Sequence, residues 1–498
     1  WAGVFFRKQT PGFFMMRLRM PGGRTNTEQL GLIADISDDC GKGFVDITTR
    51  QQIQLRWFQI GKVPDLFKEL ERAGLTSLQT GMDNIRNVVG CAAAGLTANE
   101  LFDASPAVRE YTSMFVGNRE YTNLPRKFNV AISGCLENCT HAESQDVAMT
   151  PAVRLVKGEA LKGFNVAAGG KMGSGGYRPA SPLDLFVLPD EAAEICRLIT
   201  LIFRDHGFRT SRARARLAFL IDEWGVGRFR RELEARAGYS LSAAGRDART
   251  DIHADHVGIF RQRQPGLNFI GFVVPVGRIT SGQLREVARL AKDYGNGDIR
   301  ITTGQNLIIP NVPDNRIVAL SEEPLFKVLR YDPSEVMRGT VSCTGIDYCS
   351  LALIETKELA MKTARELEKR IGKTKPITIH WSGCPAGCGN HAAADIGLLG
   401  KNVRVGHDVV EVADVFVGGK AGPSPRPPIR LLENVPCSDL PRVLEQLVPN
   451  LSASVAASRG VRSVTRGANT SGPTAMPQAI IDETSADDGG RQPDRLVD

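Results

Sequence analysis

Four cysteines in the second half of the chain, Cys343, Cys349, Cys384 and Cys388, fall into two close pairs with five and three residues between partners. A [4Fe-4S] cluster takes one thiolate on each iron and so calls for a set of four such cysteines. Structural zinc also uses four cysteines, but its pairs usually stand two to four residues apart, and five is wide for a zinc knuckle. Unligated core thiols are the third reading. Gly383, Gly387 and Gly389 surround the second pair; glycines there let the backbone approach a cluster and aim N–H groups at its sulfurs. The chemistry indicated first is one-electron transfer at iron and sulfur.

The elements that position these cysteines come from a repeat. PGGRTNTEQL from Pro21 resembles PVGRITSGQL from Pro275, an offset of 275 − 21 = 254, and TTRQQIQL from Thr48 meets TTGQNLII from Thr302 at the same offset. In the first copy Met16, Leu18 and Met20 alternate with Arg17 and Arg19, the period of a strand with one apolar face. Asn26 with Gln29 has the form of a capping box opening the helix TEQLGLIADI. FVDIT and QIQLRW then read as strands and PDLFKELERAG as a closing helix, an α+β sandwich of ferredoxin-like type. The repeat runs on: NIRNVVGC around Arg86 resembles VMRGTVSC around Arg338, and SGCLENC at Cys135 resembles SGCPAGC at Cys384. The expected fold is an internally duplicated α+β chain with pseudo-twofold symmetry, in two units of roughly 1–265 and 266–450. Ferredoxin-like half-domains are expected at 1–75 and 266–335, and further α+β domains at 76–265 and 336–455. Residues 456–498, rich in Ser, Gly, Thr, Asp and Pro, read as a disordered tail.

The two copies keep different residues. Only the second has four thiolates; the first has Cys91, Cys135 and Cys139, with Thr97 where Cys349 aligns. Conversely, Arg17 aligns with Gly271, Arg50 with Gly304, Lys127 with Pro376 and Asn129 with Thr378. Cations converging on one pocket suit a small planar oxyanion, because guanidinium binds oxygens bidentately and an ammonium can also supply a proton. A cubane has no open position for such a substrate, so a second cofactor is implied, which these residues alone do not name. The leftover set Cys135, Cys139 and His141 is either a remnant of the duplication or, with Cys91 and His141 or Cys40, part of a second metal site; a redox-sensing thiol pair is the remaining reading.

The stretches MMRLRMPGG, DITTRQQIQ, DNIRNV, NLPRKFN, CTGIDYC and SGCPAGC together resemble the siroheme-dependent nitrite and sulfite reductases, over about residues 1–450. The resemblance implies the missing cofactor, a siroheme joined to the cluster through the thiolate of Cys388, with Cys343, Cys349, Cys384 and Cys388 holding the cluster. It makes 76–265 and 336–455 the siroheme and iron-sulfur domains. It places Arg17, Arg86, Lys127 and Asn129 at the substrate, and Thr49, Arg50, Gln51, Arg126, Arg212 and Arg216 on the siroheme, the last two read as one face of a helix. Sulfite reductases tend to carry a second lysine two positions after the motif lysine, and this chain has Asn129 there. Sulfite carries more negative charge than nitrite at neutral pH, so a neutral amide favours nitrite, reduced to ammonia. The alternatives are sulfite reduction and a non-catalytic iron-sulfur carrier or sensor on the same fold.

Composition fits an ordinary globular protein: 498 residues, 23% charged and 42% hydrophobic. No stretch is apolar and long enough to span a bilayer. A net charge of +7 with dispersed basic residues argues against nucleic acid and fits an acidic partner surface; no GxGxxG fingerprint for NAD(P)H is present, so the donor is expected to be a separate protein, which the resemblance implies is ferredoxin. A monomer is expected. The chain starts at Trp1, so a targeting segment upstream is invisible; the cytoplasm is expected, or the plastid stroma after loss of a transit peptide.

Overall fold

A computed structural model describes residues 1–458; the segment expected to be a disordered tail lies outside these but for the last turn of the helix Leu440–Ser458. The first copy folds as its pattern dictates. Met16, Leu18 and Met20 are buried, and the strands Phe44–Ile47 and Ile53–Phe58 and the helix Val63–Arg72 follow in order. Asn26 caps the helix Thr27–Cys40 by accepting the Gln29 N–H at 2.9 Å. The expected capping box is only half made there, because the Gln29 amide instead donates to the Ala73 carbonyl at 2.9 Å and ties the two helices together. Its counterpart, Thr280 with Gln283, makes the full box.

The two ferredoxin-like halves exchange strands. One sheet runs Val4–Phe6, Phe14–Arg17, Ile53–Phe58, Phe44–Ile47 and then Arg278–Thr280 of the second copy; the other runs Gly258–Arg261, Leu267–Phe272, Leu307–Pro313, Asp298–Ile301 and then Arg24–Asn26 of the first. The strand Gly258–Arg261 already belongs to the second copy, so the repeat begins earlier than the expected 266. Helices Thr27–Cys40 and Ser281–Tyr294 pack on each other, and one core holds Met16, Leu18 and Leu55 together with Ile270, Phe272 and Leu307. Gln51 and Gln305 cross the pseudo-axis in mirrored fashion. Gln51 Nε2 donates to the carbonyls of Ile301 (2.9 Å) and Gly90 (3.0 Å), and Gln305 Nε2 to those of Ile47 and Ser342 (both 2.9 Å). Gly23 must be glycine here: its φ is +73°, and a Cβ would meet the Ile301 carbonyl oxygen at 2.1 Å.

The other two domains repeat one plan. A short strand, Val130–Ile132 or Ile379–Ser382, pairs in parallel with the first arm of a long antiparallel hairpin, Val147–Val156 with Glu159–Ala168 or Ile396–Val405 with Asp408–Val417. The loop leaving each short strand carries the cysteines, so the sheet delivers SGCLENC and SGCPAGC to equivalent places. Helices Ser105–Phe115 and Ala192–His206 cover the first sheet and Lys357–Ile371 the second.

Asp46 links three of these parts. Its carboxylate accepts from Arg56 Nε and Arg278 Nε, both at 2.9 Å, and lies 3.9 Å from Lys357 Nζ, with Asp46, Arg56 and Lys357 all buried. Burial acts to raise the Asp46 pKa, but Arg56, Lys357 and Arg278 outweigh it and hold the carboxyl well below the usual range. Such a group adds stability above its unfolded pKa and loses it as pH falls through the folded value. Asp46→Asn, which strands buried cations, is expected to cost about 3–5 kcal/mol at pH 7. Thermal melts should show the gap from wild type steady between about pH 5 and 8 and narrowing below about pH 4.

Candidate active site

The site lies where the two copies meet. Cys343 follows the strand Thr340–Ser342, Cys349 sits in the next loop, and Cys384 and Cys388 follow Ile379–Ser382; all four line one open cavity. The Gly383 N–H donates to Cys343 Sγ at 3.2 Å, as expected of a glycine beside a cluster. Gly389 serves packing, since a Cβ there would stand 2.0 Å from the Trp381 carbonyl oxygen. Thr49 of the first copy donates its hydroxyl to the Cys388 carbonyl at 2.9 Å and so fixes that cysteine against the cation-bearing half.

Thr49, Arg50 and Cys388 also line a second, smaller cavity, together with Lys127, Asn129 and Arg216. Arg17 lines the first cavity. Arg17 Nη1 and Arg86 Nη1 both donate to the Thr80 carbonyl, at 3.0 and 2.8 Å, and Arg86 Nη2 donates to that of Met82 at 2.9 Å. Arg19, which alternates with Arg17 along the strand, is buried and donates to the carbonyls of Arg86 (3.0 Å) and Ile85 (3.1 Å), so it positions Arg86.

Arg17, Arg50, Arg86 and Lys127 make no salt bridge among the described residues. Burial, joined by repulsion from neighbouring cations, outweighs attraction to Cys388 and pushes Arg17 well down, Arg86 to about 9 and Lys127 to about 8. The buried Nε atoms of Arg17, Arg50 and Arg86 and the Oδ1 of Asn129 have no hydrogen-bond partner. Burial pushes the Cys343 thiol up and the Cys384 thiol up to about 12. It acts the same way on Cys388, yet Lys127, Arg50, Arg17 and Arg86 outweigh it and leave that thiol below its ordinary value. Unsatisfied donors around a stabilised thiolate and an open space fit a bound group rich in carboxylates, with four cysteines fitting a cubane at its edge.

Of the other expected siroheme contacts, Arg216 lines the second cavity, whereas Gln51, Arg126 and Arg212 line neither. Gln51 is fully buried and its amide is spent on backbone across the pseudo-axis, with Oε1 accepting from Gly90 N at 3.0 Å, which leaves no polar atom for a cofactor. Arg212 is exposed and grips Asp83 at 2.8 and 3.0 Å, and Arg126 meets the same carboxylate at 3.4 Å. Arg212 and Arg216 do not share a helix face: Arg212–Arg214 is a single 3-10 turn, and Arg216 is the extended residue capping Leu217–Ala237. Arg216 is buried and paired with Asp146 at 3.0 and 2.7 Å. Sequence reading missed Arg7, Gln145 and Asn390, which line the cavities. Arg7 has an arginine, Arg261, as its counterpart and carries no such signal, whereas Gln145 aligns with Ala394 and Asn390 with His141, an asymmetry between the copies that points to them.

Comparison with known proteins agrees with this geometry. Residues 81–241 and 334–449 match the nitrite and sulphite reductase 4Fe-4S domain, and residues 6–73 and 260–327 the nitrite/sulfite reductase ferredoxin-like half domain. The ferredoxin–nitrite reductase of Synechococcus elongatus is 44% identical over 90% of this chain and 88% of its own; the chloroplastic enzyme of Zea mays is 40% identical over 91% and 81%. The assimilatory ferredoxin-dependent nitrite reductase of Haloferax mediterranei is 36% identical over 91% and 82%. The solved NirA protein of Mycobacterium tuberculosis superposes with a TM-score of 0.84 at 30% identity, over 90% of this chain and 86% of that one. The chain, an internally duplicated α+β fold with two ferredoxin-like half-domains, belongs to the nitrite and sulphite reductase family.

Proposed function

We propose that this chain reduces nitrite to ammonium by six electrons, delivered one at a time by a ferredoxin-like acidic protein. The observation that carries the reading is the unneutralised set Arg17, Arg86 and Lys127 beside Cys388, with the neutral Asn129 where a lysine would suit sulfite. The named relatives are ferredoxin–nitrite reductases, and the net charge of +7 suits docking of an acidic donor. Among the described residues no helix is long and apolar enough to cross a membrane.

Cys343, Cys349, Cys384 and Cys388 would hold the cluster, and Thr49 and Arg50 would face the siroheme, the pair supplying a redox-active iron and its electron relay. This chain's own residues do the rest. Arg17 and Arg86, clamped by the 80–82 backbone, present guanidinium N–H groups to the anion's oxygens. Lys127, brought to about 8 by burial, keeps its proton at pH 7 yet gives it up more readily than an exposed lysine, as a proton donor should. Asn129 offers an amide without adding charge.

Two substitutions test the reading, assayed with reduced methyl viologen on enzyme carrying its normal iron and absorption spectrum. Lys127→Met should lower kcat/KM for nitrite by about 10²–10³, the scale for losing one aimed donor in a preorganised site; an unchanged value would remove Lys127 from the mechanism. Asn129→Lys should raise the sulfite-to-nitrite ratio of kcat/KM by about tenfold or more, the worth of a modest charge contact at roughly 1.4 kcal/mol. No shift would leave the choice of nitrite without its basis.

A further inference from the structure

The first copy's own cysteines also converge. The sulfurs of Cys91, Cys135 and Cys139 and a ring nitrogen of His256 all lie within 4.8 Å of one another, and all four residues are buried. Cys91 Sγ and His256 Nε2 are 3.3 Å apart. The pseudo-symmetry identifies the place. Cys91, Cys135 and Cys139 are the counterparts of Cys343, Cys384 and Cys388, and Thr303 donates to the Cys139 carbonyl at 2.6 Å just as Thr49 does to that of Cys388. The fourth position, Cys349 in the second copy, is Thr97 here, and His256 arrives from outside the repeat, in the connector before the strand Gly258–Arg261. His141, the expected partner, packs instead against His253 and His380, with ring centroids 4.6 and 6.0 Å away, and Cys40 turns its thiol to the Ile36 carbonyl.

The connector fills the space that the other half leaves open. Gly271 stands where the first copy has Arg17, and a Cβ on it would meet the His256 carbonyl oxygen at 1.7 Å. Arg338, the counterpart of Arg86, is neutralised by Asp255 (Nη2 to Oδ1, 2.7 Å) and also donates to the Val257 carbonyl. Residues 255–257 are thereby pinned on both sides. His256 sits between them at φ +57°, a left-handed conformation uncommon for a residue with a side chain. Strain of that kind persists where the surroundings fix a side chain for a purpose.

We propose that Cys91, Cys135, Cys139 and His256 bind one zinc(II) ion in a closed structural site. Three thiolates and an imidazole are a recognised structural zinc set, and at bond lengths of about 2.0–2.3 Å tetrahedral donors stand about 3.5–4 Å apart. The observed set needs only a small contraction to reach that spacing. A cubane does not fit, because it spreads its four ligands over separate irons, whereas these donor atoms lie within 4.8 Å of one another and converge on one point. The Glu137 N–H donates to Cys135 Sγ at 3.4 Å, the kind of support a ligating thiolate receives. Ala92, Ala93, Leu96, Phe269 and Ile308 close the site with apolar surface, so no coordination position is left for substrate. The ion clips the connector to the first copy's cysteine loops, making the pseudo-equivalent of the active site a filled joint.

Metal analysis of the purified holoenzyme tests this without reference to turnover. The expected result is about one zinc per chain beside about five iron, with zinc-edge X-ray absorption showing three sulfurs near about 2.3 Å and one nitrogen near about 2.0 Å. Cys135→Ser and His256→Ala should each lower the zinc content about tenfold or more and leave the iron unchanged, since three donors hold a structural ion far less tightly than four. If a variant fails to fold, an organomercurial added to wild type should release about one zinc per chain to a chromophoric chelator. The proposal is overturned by zinc below about 0.1 per chain from zinc-supplemented cultures, by zinc retained in both variants, by iron in these positions, or by a disulfide between Cys91 and Cys135.

Discussion

The active centre depends on a crossing of the pseudo-axis: the Thr48–Gln52 turn of the first copy reaches into the second, and Thr49 holds the carbonyl of Cys388. Cations come from one copy and thiolates from the other, so neither half contains a site alone. The crossing is secured by strands lent each way, by Gln51 and Gln305 each bonding the opposite copy's backbone, and by Asp46 between Arg56 and Arg278. Because these contacts are buried and fully paired, the relation of the two halves has one solution rather than a range.

Two pseudo-equivalent sites then diverge in their electrostatics. At Cys388 Arg17, Arg50, Arg86 and Lys127 make no salt bridge among the described residues, an arrangement that costs stability in the empty protein. A cofactor and substrate carrying negative charge offset that cost on binding, so loading and folding are coupled. At Cys139 the same positions are neutral or paired: glycine at 271 and 304, Arg338 on Asp255. One copy keeps a charged opening and the other fills it with its own chain.

Features set by local pattern were legible in the sequence. The period-2 strand at Met16–Met20, the cap at Asn26 and the 254-residue offset gave the ferredoxin-like halves and their duplication. The four cluster cysteines could be singled out because spacing and the incomplete first copy both point to them. Partners that lie far along the chain were not legible. Gln51 bonds a carbonyl 250 positions away, Arg212 pairs with Asp83 across 129, and His256 meets Cys91 across 165. A polar side chain looks the same in sequence whether its partner is a cofactor or a buried backbone group. The asymmetry of the copies held the missing clue for His256, since Gly271 in place of Arg17 signals that something else occupies that space.

The same comparison explains how Asn129 comes to line the cavity beside Cys388. Each copy has an aspartate under this position, Asp146 or Asp395, that accepts the backbone N–H of Asn129 (2.8 Å) or Thr378 (2.9 Å). In the second copy the Thr378 hydroxyl closes onto Asp395 at 2.8 Å, so the side chain is turned back into the protein. In the first copy Arg216 takes both oxygens of Asp146 in a bidentate pair and the Asn129 amide is not drawn to that carboxylate. Its Oδ1 remains without a partner at the wall of the cavity. Arg216 therefore acts on the cavity wall through a third residue: by satisfying Asp146 it leaves the Asn129 amide oxygen without a partner there.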